Sequence, residues 1–77
     1  TANLKNVKFE VYPNPTSEFI HVNGIYKNED IIIYDINARK MGTYKLTPAN
    51  NRISVNHFNK GLYFIEIDNT VLKFIKH

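Results

Sequence analysis

Three histidines, His21, His57 and His77, are the side chains best suited to metal binding or proton transfer, and none lies at ligand spacing from another. His21 falls on the polar side of a strand-like run, and His77 is the last residue of the sequence. Ser17 and Ser54 lack the strand-to-helix context of a nucleophile elbow, and Ser17, between Thr16 and Glu18, reads as part of a turn after Pro15. Asp30, Asp35, Glu66 and Asp68 fall at strand edges or turns, with no spacing that forces two carboxylates together for acid–base work. The absence of Cys removes thiolate nucleophiles, zinc–thiolate sites and redox motifs, although it does not decide the compartment. Gly24, Gly42 and Gly61 are isolated, so no glycine-rich loop cradles a phosphate; Asn14, followed by Pro15, is no glycosylation acceptor. A catalytic reading would need a pocket joining a perturbed carboxylate to His57. The residue types point instead to an interaction module that is not an enzyme and uses no metal or cofactor.

Ten Lys and Arg against seven Asp and Glu give a net charge of +3, spread from Lys5 to Lys76 with no run longer than Arg39 and Lys40. That is a solvated surface and not a nucleic-acid stripe. Five Tyr and five Phe could form a stacking platform for bases or sugars. Yet Phe9, Tyr63 and Phe74 fall on expected core faces, where aromatic rings supply much of a small domain's buried area. No stretch approaches the roughly 18 apolar residues of a membrane helix, and no leader is evident, so export would rely on a signal upstream of Thr1 or of another kind.

The elements that must position these residues are strands. Val7, Phe9 and Val11 alternate with Lys8, Glu10 and Tyr12, and Ile20 and Val22 alternate with Phe19, His21 and Asn23. Between them Pro13 and Pro15 remove two backbone donors and fix two φ angles, which ends pairing and turns the chain. Ile31 to Ile36 is a β-branched run expected to form a central strand covered on both faces. Met41 to Leu46 reads as a weaker strand, Thr47 to Asn51 as a loop, and Ile53 and Val55 as another alternating run. Asp68 and Asn69 tolerate positive φ and predict a hairpin that pairs Ile67 with Thr70, Ile65 with Leu72 and Tyr63 with Phe74. Its second face then pairs Leu62 with Ile75, Phe64 with Lys73 and Glu66 with Val71. About seven short strands with turn signals every eight to twelve residues predict an all-β fold, an antiparallel β-sandwich with a small open barrel as the alternative.

The ordered set "VYPNP", "FIHV", "IIIYDI", "KGLYFIEI" and "KFIK" resembles the type A C-terminal sorting domains of the type IX (Por) secretion system. The likeness runs from about Phe9 to Lys76 and includes that family's opening Pro13, Asn14, Pro15 signature and its Gly61, any residue, Tyr63 pattern. One departure stands after the central strand, where relatives commonly carry Gly and this chain has Ala38. Ala disfavours positive φ, so either the turn type differs or Asn37 takes the left-handed residue.

The resemblance implies an immunoglobulin-like sandwich over residues 7–77, with residues 1–6 the end of a linker. It implies a noncatalytic signal that takes a larger cargo from the periplasm across the outer membrane. The implied partners are an outer-membrane shuttle protein, the translocon, and a cell-surface sortase that usually removes the domain and attaches the cargo to the surface; no nucleic acid is among them. On the hairpin's second face, Leu62, Phe64, Lys73 and Ile75, with Lys76 near the open end, are the expected recognition residues. Open edge strands leave room for weak self-association. The competing reading is an immunoglobulin-like adhesion or carbohydrate-binding module that stays on the mature surface protein.

Overall fold

The computed structural model describes residues 9–13, 15, 16 and 18–77. The expected linker, Val7 and Lys8 of the first run, Asn14 and Ser17 lie outside the described residues. Seven strands occur among those described, in the order β1 (Glu10–Tyr12), β2 (Phe19–Asn23), β3 (Glu29–Tyr34), β4 (Lys40–Leu46), β5 (Arg52–Ser54), β6 (Gly61–Ile67) and β7 (Thr70–Lys76). They form two antiparallel sheets, β1-β2-β5 and β4-β3-β6-β7, so the fold is the sandwich and not the barrel.

Side chains alternate faces along a strand, and here alternation builds the core. Ile20, Val22 and Ile53 of the smaller sheet join Ile31, Ile33, Ile65, Ile67 and Phe74 of the larger one in a single buried cluster. Phe9 and Phe58 close it from outside the strands. Deleting most of a side chain such as Phe74, fully buried, leaves a void costing about 3–5 kcal/mol.

The β6–β7 hairpin takes the register that period-two alternation and a two-residue turn dictate, from Ile67 opposite Thr70 to Gly61 opposite Lys76. Asp68 and Asn69 both adopt positive φ, 49° and 64°, the requirement of a turn whose twist matches its strands.

Two expectations need correction. The isoleucine run is not a strand covered on both faces. β3 ends at Tyr34; Ile31 and Ile33 are buried, Ile32 is half-buried on the outer face, and Ile36 is 64% exposed in the following turn. A run of β-branched residues satisfies the backbone preference for strand without fixing how many faces are covered. The left-handed residue of that turn is Ala38 at φ 65°, not Asn37. The turn closes around Asp35, whose Oδ1 accepts the N–H groups of Asn37 and Arg39, both at 2.9 Å. The Ala38 N–H donates to the Asp35 carbonyl, and the Asp35 N–H to the Arg39 carbonyl. These bonds hold Ala38 in a conformation its Cβ disfavours.

The opening turn begins where β1 ends, with a cis Tyr12–Pro13 peptide. Beyond it Thr16 lies beside the end of β7 as an isolated parallel bridge to Lys76, so the start of the sandwich and the end of its last strand meet at one corner.

Candidate recognition surface

The register fixes which side chains share a face. With Tyr63, Ile65 and Phe74 in the core, Leu62, Phe64 and Glu66 of β6 and Val71, Lys73 and Ile75 of β7 stand on the outer face of the larger sheet. Leu62 lies opposite Ile75 and Phe64 opposite Lys73. Leu62 and Phe64 are half-buried and Ile75 is 48% exposed. A shallow groove of about 180 Å³, lined by Leu62, Lys73, Phe74 and Ile75, opens there.

Away from this end the same face turns polar. The Tyr34 hydroxyl donates to Glu66 Oε1 at 3.0 Å; that bond, with desolvation and the Glu66 charge, raises the phenol's pKa above its ordinary value. Lys45 and Asp30 pair at 3.8 Å across β3 and β4, both largely exposed, an arrangement worth little in stability. Apolar side chains at the open end of the hairpin, where β6 begins and β7 ends, line the groove, while Val71 adds a separate apolar residue, 65% exposed, beside the turn at the other end.

Lys76 does not join that face. It lies two residues after buried Phe74, on the same side of β7, and is only 8% exposed. The register itself contains this placement, since residues two apart share a face. Gly61 and Tyr63 also have structural work. Gly61 starts β6 at φ 150°, which L side chains rarely adopt. The buried Tyr63 ring stacks on Phe74 with centroids 5.4 Å apart, while its hydroxyl donates to the Asn59 carbonyl at 2.6 Å and ties down the preceding turn. Pro13 and Pro15 are exposed around the end of β1. Thr16, which no motif singled out, is buried, as is Phe58 against Tyr63.

The outer face of the smaller sheet carries a ladder of rings and a cation. Tyr12 and His21 stack at 5.2 Å, Phe19 meets His21 edge-on at 5.6 Å, and the Arg52 guanidinium sits 4.8 Å over the Phe19 ring. These groups occupy one another's faces and brace β1, β2 and β5 against each other. His57 is exposed at a turn, edge-on to Phe58 at 4.8 Å. Among the described residues no group of three His, Asp or Glu side chains could hold a metal ion. Glu29 is a buried carboxylate without a hydrogen bond to its Oε2, facing Lys27 Nζ at 3.7 Å; its place in a polar pair of residues before the isoleucine run gave no sign of burial.

Compared with known proteins, residues 10–77 match the model of a family described as a secretion system C-terminal sorting domain. No curated protein and no solved structure matches the chain.

Proposed function

The chain belongs to the family of type IX secretion system C-terminal sorting domains, and from that premise we propose that it is a noncatalytic signal steering a larger cargo from the periplasm across the outer membrane. Family membership gives the coarser role, a sorting signal that engages the secretion machinery and whose cargo is secreted or carried to the surface. The finer reading is that an outer-membrane shuttle protein captures the sandwich, the translocon passes it, and a surface sortase then removes it and attaches the cargo. The observation that carries the reading is the extent of the family match, which runs through all seven strands from Glu10 to His77.

Capture is assigned to the open end of the terminal hairpin. There Leu62, Phe64 and Ile75 offer apolar surface to bury, and Lys73 places a positive charge at its rim. The unpaired sheet edges would allow weak self-association as well, at high concentration.

The test fuses residues 1–77 to a reporter bearing a signal peptide, in a host with this secretion system. Reporter on the surface or in the medium is the expected result. Reporter held in the periplasm of a host that still exports its own cargo would refute the proposal, and reporter displayed with the domain still attached would favour retention over sortase removal.

A further inference from the structure

Thr16 is a polar residue in a proline-flanked turn, yet it is 2% exposed. Its N–H donates to the Ile75 carbonyl at 2.9 Å and its carbonyl accepts the His77 N–H at 2.6 Å. Its Oγ1 donates to the Phe19 carbonyl at 2.6 Å, which anchors the residue to β2 in turn. Thr16 thus acts as a one-residue parallel strand beside the end of β7, about sixty residues away in sequence. Turning the chain does not require this contact, because the prolines already end β1 and redirect it. The bonds serve the other segment. The end of an edge strand, paired on one side only, opens at little free-energy cost unless something ties it down, and Ile75, one wall of the apolar groove beside Leu62, sits at such an end of β7.

We propose that Thr16 is a positioning residue for the sorting signal: it holds Ile75 to His77 extended beside Leu62, so that the secretion machinery meets the opening turn and the closing strand as one preformed surface. The proposal rests on the assignment of capture to the hairpin's outer face. Its physical basis is preorganisation, since a wall that is already ordered loses little entropy when a partner closes on it. It also accounts for the presence of the proline turn and the terminal "KFIK" in the same short chain: they are the two halves of one corner.

The experiment uses the full 77-residue chain, purified for amide exchange and fused to the exported reporter for secretion. Thr16→Pro removes both the N–H donated to Ile75 and the hydroxyl donated to Phe19, Thr16→Ser keeps every bond, and Ile75→Asp alters the groove alone. In the parent and in Thr16→Ser the His77 amide exchanges slowly and secretion is normal. In folded Thr16→Pro, exchange at His77 rises at least about five- to tenfold, the factor that one of the two lost hydrogen bonds would give alone, and secretion falls by a similar factor. If Thr16→Pro does not fold, deletion of His77 removes the bond to the Thr16 carbonyl and shifts secretion in the same direction. Normal secretion by folded Thr16→Pro or by the His77 deletion, or an unprotected His77 amide in the parent, overturns the role of Thr16. Failure of the underlying assignment looks different: folded Ile75→Asp is secreted like the parent, and the composite surface falls with it.

Discussion

Ala38 is the residue at which sequence preference and structure conflict most directly. Its φ of 65° places Cβ against the following carbonyl, a cost of roughly 1–2 kcal/mol for an L-residue other than Gly. The bonds to Asp35 hold it there. Ala38→Gly should therefore raise stability by about 1 kcal/mol, slightly offset by the extra freedom of an unfolded glycine; an unchanged or lower urea midpoint would contradict it. Asp35 gives a pH-dependent counterpart. The Arg39 N–H foremost, then the Asn37 N–H and the Arg39 side chain, hold its carboxyl pKa below the ordinary carboxylate range despite partial desolvation. A pKa depressed in the folded state adds stability above the unfolded value of about 3.9, and that stability is lost as pH falls through the lower folded value. Asp35→Asn should flatten this acid limb in melts between about pH 5 and pH 2. A mutant whose melting temperature falls with acid as steeply as the parent's would place the acid sensitivity elsewhere. The sequence marked this turn as unusual through Ala38 but not its solution, because the choice of left-handed residue depends on how the Asp35 carboxylate is used.

Among the elements, the terminal hairpin was the most legible, for a definite physical reason. A two-residue turn fixes register, and register with period-two alternation fixes every face, so Asp68 and Asn69 suffice to place Leu62 opposite Ile75. The same logic assigns Lys76 to the side of Phe74, a step that expecting it near the open end passed over. β3 was less legible because its run of isoleucines contains no alternation to read, and the covered face is chosen by the partner sheet. The turn residues supply the element's prediction. Asn69→Gly keeps positive φ at no steric cost and should stabilise by a few tenths of a kcal/mol up to about 1, whereas Asn69→Val, β-branched at φ 64°, should destabilise by more than 1 kcal/mol. Equal denaturation midpoints for the two variants would mean that the turn does not set the register.

At the scale of the whole molecule, the proposed assignment separates folding from recognition by strand face. The inner face of the larger sheet is the core, and the outer face at the hairpin's open end is the surface to which capture is assigned. The corner where Thr16 meets β7 joins the two tasks, and no local pattern announces it, because the contact spans nearly the whole chain and involves a single residue of the turn. The separation predicts a double dissociation. Ile33→Ala, at a fully buried position, should cost about 2–5 kcal/mol, enough to unfold much of a domain this small, so secretion fails through loss of the fold. Ile75→Asp, at an exposed position, should stay within about 0.5 kcal/mol of the parent and yet block export, because a carboxylate now stands where apolar surface is to be buried. Chemical denaturation and reporter secretion measured on the same two variants decide the matter. If loss of secretion tracks loss of stability in both, the signal is read as a folded body and not through one face; if the folded Ile75→Asp chain alone stays behind, the machinery reads the hairpin.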